Sequence, residues 1–224
     1  MSLKSSCVNA WNLDGNSNDS AGSNNGTDVG VTYSALSGAI GQAATYNGSA
    51  TTKVSCMALG TNDFTFVVRL KRGTTGTTQY FLGAVNALGQ NTSINILGYF
   101  NSSNQLLFIA YSGSSTIVNF GPATIFSSTS TWYNVVFRRT GSTFSIKVNN
   151  TNSASATSSS SINSSASSFG IGCGGDFATL KFNGSIDYAH YFNAYLSDAD
   201  LTTLYNSGNG IQYPFSNSNM FLAF

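Results

Sequence analysis

The fold is decided by residues 182–205, FNGSIDYAHYFNAYLSDADLTTLY, where a strand pattern runs directly into the start of a helix. Ile186–Tyr191 is rich in β-branched and aromatic residues and is predicted to be a strand. Ser197 is a good N-cap, and Asp198 and Asp200 lie in the first helical turn, where the helix dipole favours negative charge. The predicted apolar face of this short helix consists of Leu201, Leu204 and Tyr205. The segment therefore predicts a strand followed by one short C-terminal helix.

The chain before this segment consists of short apolar runs separated by Gly, Asn, Ser and Thr, which is typical of a β-sandwich. In the run Thr143–Val148, apolar and polar residues alternate, so that one face of the strand is buried and the other is wet. The Ser-rich residues 153–168 are predicted to be one weak polar strand with long flanking loops rather than a tether between domains. The other predicted strands are Ala43–Tyr46, Phe64–Lys71, Gln79–Val85, Ser93–Phe100, Gln105–Tyr111, Thr116–Phe120, Trp132–Arg139 and Phe169–Cys173.

Composition indicates a folded, charge-poor protein. The 224 residues are 41% hydrophobic but only 8% charged, with a formal net charge of +1. All eight acidic residues are Asp, and the absence of Glu, a strong helix former, fits an all-β chain. The basic residues of two short stretches are predicted to be solvated strand ends: Arg69, Lys71 and Arg72, with Arg138 and Arg139. So few cations predict no binding of nucleic acid.

Three cysteines, Cys7, Cys56 and Cys173, are widely spaced and lack the paired spacing of a zinc site. They are predicted to be buried free thiols, with one disulfide plus one free thiol as the alternative. No stretch has the length of a transmembrane span, so membrane insertion is not expected. The N-terminus lacks the apolar core of a signal peptide, which predicts synthesis in the cytoplasm or a trimmed leader.

Four segments, taken in order, resemble the laminin-G-like branch of the concanavalin A-like lectin/glucanase family. They are Trp11–Gly22, Asp63–Leu70, Trp132–Gly141, and the closing series Phe169–Gly172, Phe182–Phe192 and Leu196–Tyr205. The resemblance implies a jelly-roll sandwich of two antiparallel sheets. It implies one domain over residues 1–224, matched at about 10–209, with 210–224 as a tail or last strand. Asn149-Asn150 stands where the family usually has Asn-Gly, and His190 stands where it often has Arg.

The residues give no support for catalysis. Glycoside hydrolysis needs two suitably spaced carboxyl groups, and the paired Asp198 and Asp200 are explained by the helix start. His190 is the sole histidine, and a lone strand histidine is predicted to be a surface or half-buried packing residue, facing away from Asp187. We therefore expect the protein not to be an enzyme.

A structural calcium ion is one predicted cofactor. Calcium prefers carboxylate and carbonyl oxygen ligands, and residues 14–28 are rich in Asp and Asn. The resemblance singles out Asp19 and Asp187, because they match recurrent family acids. The alternative is that Asp19 makes turn hydrogen bonds and Asp187 accepts backbone N–H groups.

A glycan groove is the predicted ligand site. Sugar faces stack on exposed aromatic rings framed by amide and hydroxyl groups, and Tyr80, Tyr99 and Tyr111 are the tyrosines proposed for it. Because Tyr is also an ordinary strand residue, the pattern alone does not place these rings in a groove.

Two functional hypotheses follow. The first is a bacteriophage virion component at the virion surface (a capsid decoration, head-fibre or tail-associated protein), which self-associates or binds other virion proteins and adheres to cell-surface glycans. It rests on the charge-poor surface and on an apolar C-terminus predicted to drive assembly through Met220, Phe221, Leu222 and Phe224. The second is a carbohydrate-binding module of a secreted glycan-active protein.

Overall fold

The computed structural model describes residues 2–35, 37–55, 57–85, 95–163, 168–174 and 179–215. Two helices flank the β-structure: α1 (Leu3–Ser6) and α2 (Asp198–Tyr205). The first strands are β1 (Cys7–Trp11), β2 (Thr27–Val29), β3 (Thr32–Ser34), β4 (Ala43–Asn47), β5 (Thr51–Ser55), β6 (Phe64–Arg72), β7 (Gln79–Val85) and β8 (Ile96–Phe100). The others are β9 (Leu106–Ser112), β10 (Ser115–Phe120), β11 (Trp132–Thr140), β12 (Thr143–Val148), β13 (Thr151–Thr157), β14 (Ser168–Ile171) and β15 (Asn183–Phe192).

The strands form two antiparallel sheets. One has eight strands in the order β13-β12-β11-β6-β15-β4-β3, with β1 also paired to β15. The other has seven strands in the order β10-β9-β8-β7-β14-β5-β2. This architecture confirms the predicted all-β sandwich of two antiparallel sheets with a short C-terminal helix.

Every strand predicted from the sequence is present, with ends displaced by a few residues. The weak polar strand expected within residues 153–168 lies earlier, at β13. Of strand β1, only Trp11 lies in a segment that the sequence analysis singled out, and the short strands β2, β3 and β5 and the helix α1 were not predicted. Three of these are only three or four residues long, which is too short for a clear strand or helix pattern in the sequence.

Aromatic rings dominate the core between the two sheets. The ring of Phe137 lies 4.8 Å from that of Phe108 and 6.1 Å from that of Phe81, measured between centroids. At the other side of the core, Phe66 stacks on Phe169 at 5.4 Å. Such offset-stacked and edge contacts add stability beyond the burial of apolar area.

The outer face of the eight-stranded sheet is covered. A second apolar cluster joins Val67, Val136 and Tyr188 of this sheet to Leu201 and Leu204 of α2. Arg138 Nη1 donates to Leu196 O (2.7 Å), and Arg69 Nη2 donates to Gly208 O (2.6 Å). These contacts fasten the helix and the turn after it onto the sheet.

Four of the five basic residues that were predicted to be solvated strand ends are buried instead, and the fifth, Lys71, is half-buried. Arg69, Arg72, Arg138 and Arg139 are all buried. Arg72 lies 4.4 Å above the ring of Phe100 and donates to Phe126 O, whereas Arg139 lies 4.7 Å above Phe144 and donates to Gly60 O. The prediction was wrong because aromatic faces and loop carbonyls, which leave no sequence signature, take the place of water around these guanidinium groups.

Candidate functional site: a polar cleft on the seven-stranded sheet

A cleft of about 440 Å³ opens on the outer face of the seven-stranded sheet. Strands β2, β5 and β14 form this part of the sheet. The cleft is lined by Asn25, Thr27, Lys53, Val54, Ser55 and Ser168. Its volume lies within the range of roughly 300–1,000 Å³ that small-molecule sites occupy.

Strand register explains why these side chains meet. Thr27 pairs with Lys53, and Ser55 pairs with Ser168, in three strands that are far apart in sequence. Thr52 and Val54 point into the core. Because side chains alternate between the two faces of a strand, Lys53 and Ser55 point outward. The next partner of Lys53 is Gly170, which has no side chain to fill the space beside the lysine.

Four neutral polar groups in the cleft are open to a ligand. The hydroxyls of Thr27, Ser55 and Ser168 have no hydrogen-bond partner in the described part of the chain. Asn25 Oδ1 accepts from Asp19 N (2.9 Å), which leaves the Asn25 amide nitrogen as a donor toward the cleft. Asn24 meanwhile bonds both backbone groups of Ser55 and fixes the rim.

Lys53 makes the cleft cationic. In the sequences of the seven strands only Lys53 and Asp28 are charged. Asp28 lies on the core side, where its carboxylate accepts from Thr52 Oγ1 (2.6 Å) and Tyr33 Oη (2.7 Å). Lys53 is therefore the one charged side chain that these seven strands place on the outer face of the sheet.

The predicted tyrosine groove is only partly assembled. Tyr80 and Tyr99 are cross-strand partners on the outer face, with ring centroids 5.2 Å apart in an edge-to-face contact. Tyr111 lies on the same face, four residues along β9 from the partner of Tyr99, which is Leu107. The side chains of Leu97 and Ile109 lie between these tyrosines on the same face and are only 5% and 9% exposed. A glycan groove along these three tyrosines stays a prediction.

Asp19 lies in a cradle of N–H donors. Its carboxylate accepts from the backbone of Ala10 (2.8 Å), Ala21, Gly22 and Asn24 and from Asn9 Nδ2 (2.7 Å). Burial alone would raise the pKa of Asp19, but these hydrogen bonds outweigh it and hold the pKa below its usual value. The carboxylate thereby holds β1 against the loop that follows it, which agrees with the alternative that Asp19 makes turn hydrogen bonds.

Asp187 is buried at the outer face of the eight-stranded sheet. Its Oδ2 accepts from Ile40 N (3.0 Å) and Ala39 N (3.2 Å) and lies 3.7 Å from Arg69 Nε. Burial raises the pKa of Asp187 to about 7, although the Ile40 amide and the Arg69 charge act in the opposite direction. N–H donors around both Asp19 and Asp187 do not fit a calcium ion, whose ligands are oxygen atoms. Calcium binding at these acids stays a prediction.

His190 is fully buried, so the expectation of a surface or half-buried residue was wrong. Its ring stacks on Tyr188 at 4.5 Å, and its Nε2 lies 3.2 Å from Asn12 Oδ1. Burial lowers the pKa of His190 to about 3. A β-bulge between Ile186 and Tyr188 breaks the strand alternation and brings Asp187 to the side that His190 also faces, which simple parity did not predict.

The remaining predicted residues are placed as follows. Cys7 and Cys173 are buried and form no disulfide among the described residues, as predicted, whereas Cys56 lies outside the described residues. The predicted assembly residues Met220, Phe221, Leu222 and Phe224 also lie outside them.

Among the described residues, no group of three or more His, Cys, Asp or Glu side chains is placed to hold a metal. No helix in the described ranges has the length and apolarity to span a membrane.

The polar cleft was not predicted from the sequence. Its residues are Asn, Ser and Thr, which occur throughout the chain, and they come from strands about 25 and 115 positions apart. The one available signal was Lys53, a single cation in an otherwise uncharged strand.

Residues 44–202 match the family model Laminin_G_3, described as the concanavalin A-like lectin/glucanases superfamily. The matched range includes β5, β14 and the cleft residues Lys53, Ser55 and Ser168. No match was found among curated proteins.

Several solved structures share the fold. Domain 4 of AbnA, an extracellular GH43 arabinanase from Geobacillus stearothermophilus solved with arabinotriose, has a TM-score of 0.69 at 18% identity, over 92% of this chain and 98% of that one. The binding domain of Paraclostridial Mosquitocidal Protein 1 has a TM-score of 0.72 at 14% identity, over 92% and 53%. The binding domain of botulinum neurotoxin DC in complex with SialylT has a TM-score of 0.68 at 16% identity, over 92% and 52%. The chain thus spans about half the length of the two toxin binding domains.

Asp187 and His190 predict opposite pH dependences of stability. Asp187 keeps its proton up to about pH 7 in the folded chain, whereas the unfolded chain releases it near pH 4. The protonated Asp187 therefore contributes stability below pH 4, and this contribution is lost as pH rises from 4 to 7. His190 stays neutral in the folded chain down to about pH 3, so its contribution is lost as pH falls below about 6.5. We expect thermal melts between pH 4.5 and 6.5 to show rising stability with pH in Asp187→Asn and falling stability in His190→Phe.

The exposed Asp63, replaced by Asn, is the control for the loss of one carboxylate. Parallel pH profiles for Asp187→Asn, His190→Phe and Asp63→Asn would contradict the assignment of these buried groups.

Asp19 predicts a second effect on stability. Asp19→Asn keeps the size of the side chain but loses a charged acceptor of five N–H groups, and we expect the free energy of unfolding to fall by about 2 kcal/mol at pH 7. Chemical denaturation measures this loss.

Melts of the unmodified chain in calcium and in a chelator test the metal prediction: the N–H cradle predicts equal midpoints, and a higher midpoint in calcium would establish a calcium site.

Proposed function

The chain belongs to the concanavalin A-like lectin/glucanase superfamily, and we propose that it is a non-catalytic carbohydrate-binding domain that uses the polar cleft on its seven-stranded sheet. The observation that carries the proposal is the convergence of three open hydroxyls and one amide donor in a cleft of about 440 Å³. A ligand rich in hydroxyl groups satisfies these donors and acceptors, whereas an apolar ligand would leave them unpaired at a cost.

The neighbours of known structure support the same class of ligand. One of them was solved with arabinotriose and another with SialylT, and both share the fold over 92% of this chain. At 16–18% identity this likeness extends to the fold alone. The proposal for this chain therefore depends on its own cleft.

Lys53 gives the cleft a preference among sugars. Its ammonium group is the one charge that the seven strands place on the outer face, and a sugar carboxylate beside the hydroxyls of Thr27 and Ser55 would form a charge-assisted hydrogen bond with it. A glycan that carries an acidic sugar is thus the favoured ligand, and a neutral glycan is bound through the hydroxyl and amide groups alone.

Isothermal titration calorimetry tests the proposal with arabinotriose, a sialylated trisaccharide and an oligogalacturonide. The double variant Ser55→Ala/Ser168→Ala removes two hydroxyls, and we expect binding of any recognised glycan to weaken about tenfold, which corresponds to roughly 1–2 kcal/mol. Lys53→Gln should weaken binding of the acidic glycans alone and abolish its dependence on salt.

Ser115→Ala, on strand β10 at the far edge of the same sheet, is the matched control and should bind like the unmodified chain. If no glycan of the set binds, or if the double variant and Ser115→Ala bind equally well, the cleft is not a carbohydrate site.

A role at the virion surface stays a separate prediction of the sequence. It depends on self-association through Met220–Phe224, which is compatible with glycan adhesion. Light scattering of the full chain and of a chain without residues 220–224 tests it: a trimer or larger that becomes a monomer on truncation is the expected result, and monomers in both cases would contradict it.

A further inference from the structure

A second pocket, of about 340 Å³, lies at one end of the sandwich and shares no residue with the polar cleft. Three segments form it: the loop before β11, the start of β11 and the turn that joins β12 to β13. Its lining includes Thr124, Ile125, Phe126, Tyr133, Val148 and Asn149. The volume is near the lower limit for small-molecule sites and suits one ring rather than a chain of rings.

The apolar wall of this pocket is held in place by hydrogen bonds. Ile125 is 52% exposed and forms a β-bridge with Gln105. The next residue, Phe126, donates its N–H to Asn104 O (2.9 Å) and accepts at its carbonyl from the buried Arg72 Nη1 (2.6 Å). An exposed isoleucine on so well anchored a segment presents an apolar surface to solvent at a fixed position.

The turn of β12 and β13 orients a hydrogen-bond donor in the same pocket. Asn149 has a φ of +49°, and its N–H donates to Asn134 O (3.0 Å). Its Oδ1 accepts from Asn134 N (2.9 Å), so the amide nitrogen is the group left for a ligand.

Two hydroxyls complete the polar side of the pocket. Tyr133 packs its ring edge-on against Phe126 at 5.2 Å, and its hydroxyl has no partner in the described ranges of the chain. The Thr124 hydroxyl likewise has none there. The residues that line the pocket carry no charge.

From this combination we propose that the end pocket is a second binding site, which takes one neutral sugar ring. A pyranose or furanose ring has an apolar C–H face, which Ile125 and Val148 cover, and hydroxyls, which the Asn149 amide and the Tyr133 hydroxyl bind. An acidic sugar has no cation to pair with here, in contrast to the cleft that contains Lys53. The site depends on its own residues and not on the function proposed for the cleft.

Nuclear magnetic resonance of the full chain tests this site. The signals of the Ile125 methyl groups and the Asn149 side-chain amide are followed during titration with the methyl glycosides of glucose, galactose, mannose and arabinose, and with cyclohexanol as an apolar probe. We expect at least one glycoside to shift both sets of signals. Tyr133→Phe and Asn149→Asp, which keeps the acceptor for Asn134 N–H, should each weaken that binding about 3- to 10-fold.

Asn47→Asp is the matched control, because Asn47 Oδ1 also accepts backbone N–H groups in a turn, those of Ser49 and Ala50. It should leave binding at the end pocket unchanged, as should Lys53→Gln. Glycoside shifts confined to the polar cleft would overturn the second site and leave the proposed function intact. Equal shifts with cyclohexanol and the glycosides would show an apolar pocket and overturn the sugar assignment.

Discussion

The covered outer face of the eight-stranded sheet is the constraint on which the rest of the molecule depends. Arg138 binds the carbonyl of Leu196 and the carboxylate of Asp198, and Arg69 binds the carbonyl of Gly208. Helix α2 and the turn after it are therefore fixed against this sheet, and its central polar residues are sealed from water. A ligand consequently has to use the seven-stranded sheet or the ends of the sandwich, where both candidate sites lie.

The same arginines show how a charge-poor chain uses its few cations. A buried cation needs compensation, because removing its water is costly. For Arg72 and Arg139, loop carbonyls and aromatic faces supply this compensation in place of a carboxylate. Each of them thereby joins a strand to a neighbouring loop. Arg72 in particular fixes the segment that carries Ile125, so a core residue determines the shape of the end pocket.

The fold could be predicted from the sequence because local pattern and family-like segments agree at β6, β11, β14 and β15. Strand β12 alternates cleanly between polar and apolar residues, and the Ser197 N-cap locates the start of α2 to the residue. The sites could not be predicted in this way. The cleft depends on the registers Thr27–Lys53 and Ser55–Ser168, which long-range pairing sets. The position of Asp187 depends on one bulge, and a shift of one residue reverses every face assignment beyond it.

The two candidate sites use different means to favour a sugar. In the cleft, short side chains on paired strands have few rotamers, so the hydroxyls of Thr27, Ser55 and Ser168 lose little entropy when a ligand binds. In the end pocket, the positive φ of Asn149 and the bond from Arg72 fix the donor and the apolar wall before a ligand arrives. Each site is small, and a few neutral hydrogen bonds give weak affinity on their own. Because only the cleft lining includes a charged residue, an acidic sugar would favour the cleft and a neutral ring would favour the pocket beside Tyr133.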